Sequence, residues 1–191
     1  MRIPDAKERM FAYPFQLSGG MQQRVMIAMA MMLEPDLIIA DEPTTALDVT
    51  IQAKIFSLIK EMRQEKTSIL LITHDMGVIW EMCDRVVVMY TSRIAEEAGR
   101  DDIFAKPAHP YTRGLLNSIP KSTATSAGRR LEAIPGQVPS PYNYPFGCHF
   151  QDRCPYVFDR CAQEIPLLMN VGEGHRAACW IADQLIQMEV T

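Results

Sequence analysis

Residues 37–43, Leu-Ile-Ile-Ala-Asp-Glu-Pro, decide the fold class of this 191-residue chain. Four consecutive apolar residues that end in two carboxylates are typical of a strand buried on both faces, with polar residues at its carboxyl end. A second run of this kind covers residues 68–73 and is followed by His74. Residues 85–90 form a third apolar run. The pattern predicts three strands.

Helical patterns separate these strands. Residues 21–33 hold good helix formers without Gly or Pro, and an apolar stripe predicts a second helix over about 50–64. A short helix is predicted over 76–82. Strands that alternate with helices form parallel sheets, which bind ligands at the carboxyl ends of their strands. The sequence therefore predicts an α/β fold with a ligand site at Asp41, Glu42 and His74.

Composition excludes several classes of protein. The chain is 48% hydrophobic and 22% charged with a net charge of −4, which is typical neither of disordered chains nor of nucleic-acid binders. The longest apolar run, residues 25–33, has nine residues, whereas a transmembrane helix needs roughly 17. We therefore expect a globular protein in the cytosol or on the inner face of a membrane protein.

A second motif, Leu-Ser-Gly-Gly-Met-Gln-Gln-Arg, covers residues 17–24. Ser18, Gly19 and Gly20 open the first predicted helix, where unobstructed backbone N–H groups and the helix dipole favour an anion such as phosphate. Such a start is, by itself, more often a simple turn or cap. The Asp41-Glu42 pair adds the complementary chemistry, because one carboxylate can hold hydrated Mg²⁺ while the next orients or deprotonates water.

The order of these motifs resembles that of the ATP-binding subunits of ABC transporters. The resemblance implies a partial P-loop NTPase fold that uses ATP and Mg²⁺. It also implies that a signature motif meets the γ-phosphate of ATP held by the opposite subunit, with contributions from Ser18, Gly19, Gly20 and Gln22.

The same resemblance assigns roles to the strand-end residues. Asp41 would support Mg²⁺ through water, and Glu42 would be the catalytic carboxylate for the attacking water. His74 would be the switch histidine that contacts the γ-phosphate. Asp48 would lie in the loop that couples the two ATP sites across the dimer.

Residues 40–50, 73–78, 82–90 and 109–116 resemble, more narrowly, the dipeptide, oligopeptide and nickel importers. Ser92 departs from that branch, which has glycine at this position. The resemblance implies a peripheral ATPase on the cytoplasmic side of the inner membrane. Its partners would be a second ATPase subunit, membrane permease subunits and, indirectly, a peptide-binding protein, but not nucleic acid.

The phosphate cradle of such ATPases is missing from the sequence. A P-loop needs Gly-x4-Gly-Lys-Ser/Thr, and the chain contains no Gly-Lys dipeptide. In the resembling family the P-loop half would precede Met1, so we expect a C-terminal fragment, a truncated reading frame or half of a split gene. We also expect the isolated chain to bind ATP weakly and not to turn it over.

The carboxyl-terminal part is rich in cysteine. Residues 131–181 hold six prolines and little periodicity, so a metal or covalent links are expected to stabilise them. The cysteine spacings of five, six and seventeen residues leave an iron–sulfur cluster, zinc, disulfides and unlinked thiols open. The resemblance to the importers implies a [4Fe–4S] cluster, with zinc as the alternative. Its ligands would be Cys148, Cys154, Cys161 and Cys179, with His149 and His175 as second choices.

The predicted organisation has four parts. Residues 1–100 are the ATPase part, 101–130 are short helices and a polar linker, 131–181 are a small irregular cysteine-rich domain, and 182–191 are a tail. Two rival functions remain: a non-transport ABC protein that acts on nucleic acid or ribosomes, and a catalytically inert remnant. The acidic charge balance and the importer-like tail oppose the first rival.

Overall fold

The computed structural model of the chain describes residue 3 and residues 5–44, 49–62, 67–119 and 133–188. Asp48 and the linker predicted over 121–130 lie outside these ranges. The chain divides into two compact units, Met1–Met82 and Cys83–Thr191. The two compact units therefore divide near residue 82, whereas the four-part organisation expected from the sequence stays a prediction.

The first unit contains the parallel strands that the sequence predicts. Its elements are α1 (Ala6–Arg9), α2 (Gly19–Met31), β1 (Leu37–Asp41), α3 (Val49–Met62), β2 (Ser68–Ile72) and α4 (Met76–Met82). Strands β1 and β2 pair in parallel, with Leu37 opposite Ser68 and Asp41 opposite Ile72. The mixed α/β content with parallel strands is confirmed for this unit.

The second unit is built on an antiparallel sheet of order β3-β4-β6-β5. Its elements are β3 (Arg85–Tyr90), β4 (Arg93–Gly99), α5 (Arg100–Ala105), α6 (Pro110–Asn117), α7 (Asp159–Gln163), β5 (Met169–Gly172), β6 (His175–Ala177) and α8 (Ala182–Leu185). None of the helices in the described ranges combines the length and hydropathy of a membrane span.

The expectation that residues 85–90 form a third parallel strand is wrong. Strand β3 pairs antiparallel with β4 through the turn at Thr91 and Ser92. Both turn residues have positive φ, 43° and 62°, and this is the backbone form that matches the twist of a two-residue hairpin. The hairpin therefore ends the parallel pattern before residue 85.

The prediction of a separate cysteine-rich domain is also not supported. Strand β6, which lies in that segment, pairs with β4, with Glu96 opposite Ala177. Strand β5 then pairs with β6. The cysteine segment thus completes a sheet that begins in the part assigned to the ATPase, because β6 pairs with β4 and β5 pairs with β6.

The first unit leaves much apolar surface exposed. Along β1 and β2 exposure alternates, so that one face carries Ile39 at 63% and Leu70 at 50% exposed, whereas both faces were expected to be buried. Helix α2 has no buried residue, and its Met26 and Met29 are more than half exposed. Within the described part of this unit, one face of the sheet formed by β1 and β2 is partly covered and the other face is exposed.

The second unit has a better-formed core. Ile103 and Leu185 are completely buried, and Tyr90, Ala95 and Phe150 form an apolar cluster against which Cys148 and Cys154 pack. The aromatic rings of Tyr90 and Phe150 meet edge to face at 5.2 Å, an arrangement that the ring quadrupoles favour. This core therefore holds Cys148 and Cys154 in place.

Candidate functional site

Glu42 and His74 meet where β1 and β2 end. Because the two strands are adjacent and parallel, the residues that follow them lie at one edge of the sheet. The backbone N–H of Glu42 donates to the carbonyl oxygen of Ile72 at 2.9 Å and ties the two ends together. The Nδ1 atom of His74 lies 2.9 Å from Oε1 of Glu42. The structure thus brings together the two residues that the sequence assigned to catalysis.

The turn after β2 fixes the position of His74. The Asp75 carboxylate accepts hydrogen bonds from the backbone N–H groups of Gly77 at 2.8 Å and Val78 at 3.2 Å, and so caps α4. The N–H of Asp75 donates to the Thr73 hydroxyl at 3.1 Å. His74 is therefore held between a strand end and a capped helix, while its side chain is 85% exposed.

The carboxylate–imidazole pair is accessible to solvent, and Asp41 is exposed at the end of β1 beside it. An imidazole that contacts a carboxylate orients it, and an accessible carboxylate can take a proton from water. Oxygen ligands such as the carboxylate of Asp41 suit Mg²⁺, which keeps several of its waters when bound. The arrangement can therefore support hydrolysis of a phosphate ester or anhydride.

The signature residues begin α2. Ser18 is the N-cap in an extended conformation, and its side chain makes no capping hydrogen bond. The first N–H groups of an α-helix have no intrahelical acceptor, so those of Gly19 and Gly20 can face an anion. A Cβ atom at Gly20 would lie 3.0 Å from Ile51, so glycine also permits the close approach of α3.

Gln22 plays a different part from the other signature residues. Its side-chain amide donates to the carbonyl oxygens of Pro14 at 2.7 Å and Leu17 at 3.2 Å. The amide therefore points back into the preceding turn and holds the chain that leads into Ser18. The remaining predicted site residue, Asp48, lies outside the described residues.

The four cysteines of the second unit line one small cavity, which also has Phe150 and Trp180 in its wall. All four are free thiols, and the cavity volume of about 20 Å³ is that of a single water-sized group. No three His, Cys, Asp or Glu side chains within the described ranges converge as ligands of one ion. The structure thus gathers Cys148, Cys154, Cys161 and Cys179 without forming a finished coordination sphere, and it does not support the predicted iron–sulfur or zinc site directly.

Backbone amides lie beside three of these thiols. Those of Phe150 and Gln151 act to lower the pKa of Cys148, that of Tyr156 acts to lower the pKa of Cys154, and that of Ile181 acts to lower the pKa of Cys179, each against the larger effect of burial. Amide donors of this kind stabilise thiolates, the form that binds zinc or iron. Thiolates are ligands that zinc and iron accept, but within the described ranges these four do not converge on one position.

Burial controls the protonation of the same thiols. It raises the pKa of Cys154 to about 11 and that of Cys179 to about 12, and the neighbouring cysteine charges add to the effect. Burial also raises the pKa of Cys148. At neutral pH these metal-free thiols are protonated, so binding of a metal would release protons.

The two histidines named as second-choice ligands are engaged elsewhere. Nδ1 of His149 lies 2.9 Å from the Thr91 hydroxyl, and the ring stacks on Tyr144. His175 is buried, and its Nε2 lies 2.8 Å from a carboxylate oxygen of Glu96. Neither histidine lines the cysteine cavity.

Glu96 is the residue that sequence reasoning missed. It is completely buried and accepts hydrogen bonds from the N–H groups of Ala108 at 2.6 Å and His109 at 3.0 Å, in addition to His175. A buried carboxylate is tolerated only when it is paired and hydrogen-bonded, as here. Glu96 joins β4, β6 and the start of α6, where His109 lines the cysteine cavity.

Two family models match the chain. Residues 1–45 match the model described as "ABC transporter", and residues 95–161 match the model described as "Oligopeptide/dipeptide transporter, C-terminal region". The first match contains the signature and the Asp41-Glu42 pair, and the second contains three of the four clustered cysteines.

Curated relatives cover nearly all of the chain. A probable peptide ABC transporter ATP-binding protein of Sinorhizobium fredii is 48% identical over 98% of this chain and 56% of its own length. Oligopeptide transport ATP-binding proteins of Bacillus subtilis and Salmonella typhimurium are 51% and 47% identical, each over 94% of this chain and 54% and 53% of their own lengths. The chain thus spans about half the length of these relatives.

A solved structure described as that of an ATP-binding subunit of an ABC transporter is 34% identical in sequence. It covers 51% of this chain and 40% of its own, with a TM-score of 0.45. A score of this size does not by itself establish a shared fold.

Proposed function

The chain belongs by sequence to the ATP-binding subunits of ABC transporters, in the oligopeptide/dipeptide branch, and from this we propose that it works in an ATPase that energises peptide import. The observation that carries the proposal is the 2.9 Å contact between Glu42 and His74 at the edge of the parallel strands. Phosphoryl transfer to water needs a positioned base and electrostatic stabilisation more than covalent chemistry.

In this proposal each strand-end residue has a defined role. Glu42 accepts a proton from the water that attacks the γ-phosphate, and His74 orients the Glu42 carboxylate and contacts the phosphate oxygens. Asp41 holds Mg²⁺ through water, and the ion, when bound, would neutralise charge on the phosphates. A positioned base of this kind contributes about 10²- to 10⁴-fold to the rate.

The signature serves a second ATP site. Ser18, Gly19 and Gly20 present the start of α2 to the γ-phosphate of ATP held by a partner ATPase subunit. Gln22 supports them through its bonds to Pro14 and Leu17. Asp48 couples the two ATP sites.

The phosphate cradle must come from other residues, because the sequence contains no Gly-Lys dipeptide. The exposed apolar face that includes Leu37, Ile39 and Leu70 supports this proposal. Parallel sheets are covered on both faces in finished domains. A segment that carries the P-loop would bury this face and place ATP at the edge where Glu42 lies.

The partners follow from the same proposal. They are a second ATPase subunit, membrane permease subunits that transport peptides, and indirectly a peptide-binding protein. Nickel is the alternative cargo that the sequence left open. The assembly would sit at the cytoplasmic side of the membrane, held there by the permease, and nucleic acid is not among its partners.

The test is peptide uptake and ATP hydrolysis by the assembled transporter that contains this chain. We expect Glu42→Gln to lower hydrolysis at least 100-fold while nucleotide binding is retained, because the amide cannot take the proton. Glu81→Gln is the matched control, since Glu81 is an exposed glutamate on α4 of the same unit. Unchanged uptake with Glu42→Gln would identify the chain as an inert remnant.

We also propose that the four clustered cysteines bind a metal centre, a [4Fe–4S] cluster or, as the alternative, zinc. The support is that all four free thiols line one cavity and that neighbouring backbone amides act to lower the pKa of three of them. The full chain purified without oxygen should contain iron and sulfide with visible charge-transfer absorption, or else stoichiometric zinc. A protein with none of these would refute the centre.

A further inference from the structure

His74 is positioned by the main chain and not by packing around its ring. The side chain is 85% exposed, and among the described residues its hydrogen-bond partner is Glu42, with Nδ1 2.9 Å from Oε1. A largely exposed ring keeps its rotamer freedom, so its position follows from the backbone that carries it. The distance between His74 and Glu42 therefore depends on how firmly the backbone is held on either side of residue 74.

On the amino-terminal side of His74, the backbone is held by the sheet. Ile72 is the last residue of β2, and its carbonyl oxygen accepts the N–H of Glu42 at 2.9 Å. The Thr73 hydroxyl then accepts the N–H of Asp75 at 3.1 Å and closes a tight turn around His74. Glu42 and the chain that enters His74 are thus tied together at one edge of the sheet.

On the carboxyl-terminal side, the backbone is held by Asp75. Its Oδ1 atom accepts hydrogen bonds from the N–H groups of Gly77 at 2.8 Å and Val78 at 3.2 Å. These are among the first N–H groups of α4, which have no acceptor within the helix. Helix α4 has seven residues, and a helix this short is marginal without support at its ends. Without the Asp75 carboxylate, the start of α4 would fray and the chain at His74 would gain freedom.

We propose that Asp75 is a positioning residue for ATP hydrolysis, whose cap on α4 holds His74 within hydrogen-bond reach of Glu42. This inference rests on the hydrolytic role of Glu42 and His74 in the proposed function. The geometry of the cap carries the effect, and not the charge, because both cap bonds are made by Oδ1, an atom that asparagine also has. An imidazole displaced by about 1 Å would no longer orient the Glu42 carboxylate, and such a displacement can lower a rate about 100-fold.

The experiment measures ATP hydrolysis by the assembled transporter that contains this chain, with kcat and KM determined separately. Three variants separate the cap from the charge. Asp75→Asn keeps a good N-cap without the charge, Asp75→Glu keeps the charge on a side chain too long for the cap, and Asp75→Ala loses both. Asp36→Ala is the matched control, because Asp36 is an exposed aspartate of the same unit whose hydrogen bond to Ser68 is made by its backbone carbonyl.

We expect Asp75→Ala and Asp75→Glu to lower kcat about 10-fold or more, with KM for ATP changed less than about 2-fold, because the lost interaction acts on the transition state. Asp75→Asn should stay within about 3-fold of wild type, and Asp36→Ala should match wild type. In a chain that already carries His74→Ala, Asp75→Ala should cause no further loss, since Asp75 acts through His74. A merely structural role would give a second loss there.

A milder variant tests the same turn if Asp75→Ala prevents assembly. Thr73→Val removes the hydroxyl that accepts the N–H of Asp75 and keeps nearly the same shape, so it loosens the turn while the helix cap remains. It should also lower kcat, and Thr73→Ser should restore it.

The inference and the proposed function fail in different ways. If His74→Ala lowers hydrolysis but Asp75→Glu and Thr73→Val hydrolyse ATP at the wild-type rate, the role of Asp75 is refuted while the hydrolytic pair stands. A loss in Asp75→Asn as large as in Asp75→Ala, or a further loss in the double variant, would overturn it as well. If neither Glu42→Gln nor His74→Ala lowers the rate, the hydrolytic pair and the role of Asp75 fall together.

Discussion

His109 holds the first turn of α6 only while its imidazole is neutral. Its Nδ1 atom accepts a hydrogen bond from the N–H of Tyr111 at 3.0 Å, which requires an unprotonated nitrogen. Burial lowers the pKa of His109 to about 4, although the Glu96 carboxylate opposes this shift. The residue therefore links the stability of the second unit to pH.

The sign of this dependence follows from the lowered pKa. The unfolded chain binds a proton to His109 below about pH 6.5, whereas the folded chain resists it down to about pH 4. The contribution of neutral His109 to the free energy of unfolding is full above about pH 6.5. It is lost as the pH falls toward 4.

His109→Asn should keep the helix cap, because asparagine is a good N-cap, and should remove the titration. Between pH 7 and pH 4.5 we expect wild type to lose about 2 kcal/mol more unfolding free energy than the variant. Urea unfolding at the two pH values measures the difference. Equal losses in the two proteins would show that His109 does not titrate in this range.

The contact between two site residues could be predicted from the sequence where their order along the chain determines their position in the fold. Glu42 and His74 follow neighbouring parallel strands, so their meeting could be anticipated. The partners of Glu96 could not, because His175 lies 79 residues away and a single sequence contains no signal for such a pair. Gln22 was assigned to phosphate from its motif, while its side chain depends on the geometry of the turn before it.

The hairpin between β3 and β4 is the element that the sequence analysis misplaced. The apolar run of β3 looks the same in a parallel and an antiparallel sheet, so periodicity could not separate the two. The residues of the turn were the available sequence signal for an antiparallel hairpin. Ser92 adopts a φ of 62°, in the left-handed region that glycine favours.

Ser92→Gly should therefore stabilise the second unit by about 0.5–1 kcal/mol. Glycine relieves the strain of the left-handed backbone, and this gain exceeds the extra conformational entropy that glycine loses on folding. Ser92→Ala is the control at the same site, because alanine resists positive φ and gains nothing. Thermal unfolding of the three proteins makes the comparison. Equal stabilisation by alanine would mean that the serine hydroxyl, and not the backbone, carries the cost.

The sequence contains the residues proposed for hydrolysis but no P-loop motif for the phosphates. A P-loop supplies backbone amides and a lysine to ATP, and the sequence lacks its Gly-Lys pair. The two-stranded parallel sheet of the first unit, with half its apolar side chains exposed, is consistent with this gap. The missing cradle stays a prediction from the sequence. The division of the chain near residue 82 could not be predicted, because it depends on strand pairing over long distances.

The purified 191-residue chain should not turn over ATP, since Glu42 then has no positioned phosphate to act on. Steady-state phosphate release measures this, and the Glu42→Gln chain serves as the blank for contaminating ATPases. Turnover that disappears in Glu42→Gln would contradict the expectation. It would mean that these residues bind ATP without a P-loop.

The backbone conformation of Glu42 bears on why a glutamate occupies this position. Its φ of 42° lies in the left-handed region, where an amino acid with a Cβ atom is strained by about 1–2 kcal/mol, and the bond from its N–H to Ile72 holds it there. Asparagine or glycine would suit this backbone better. Selection for stability alone would favour replacing the glutamate, so a chain that had drifted free of catalysis would gain by losing it.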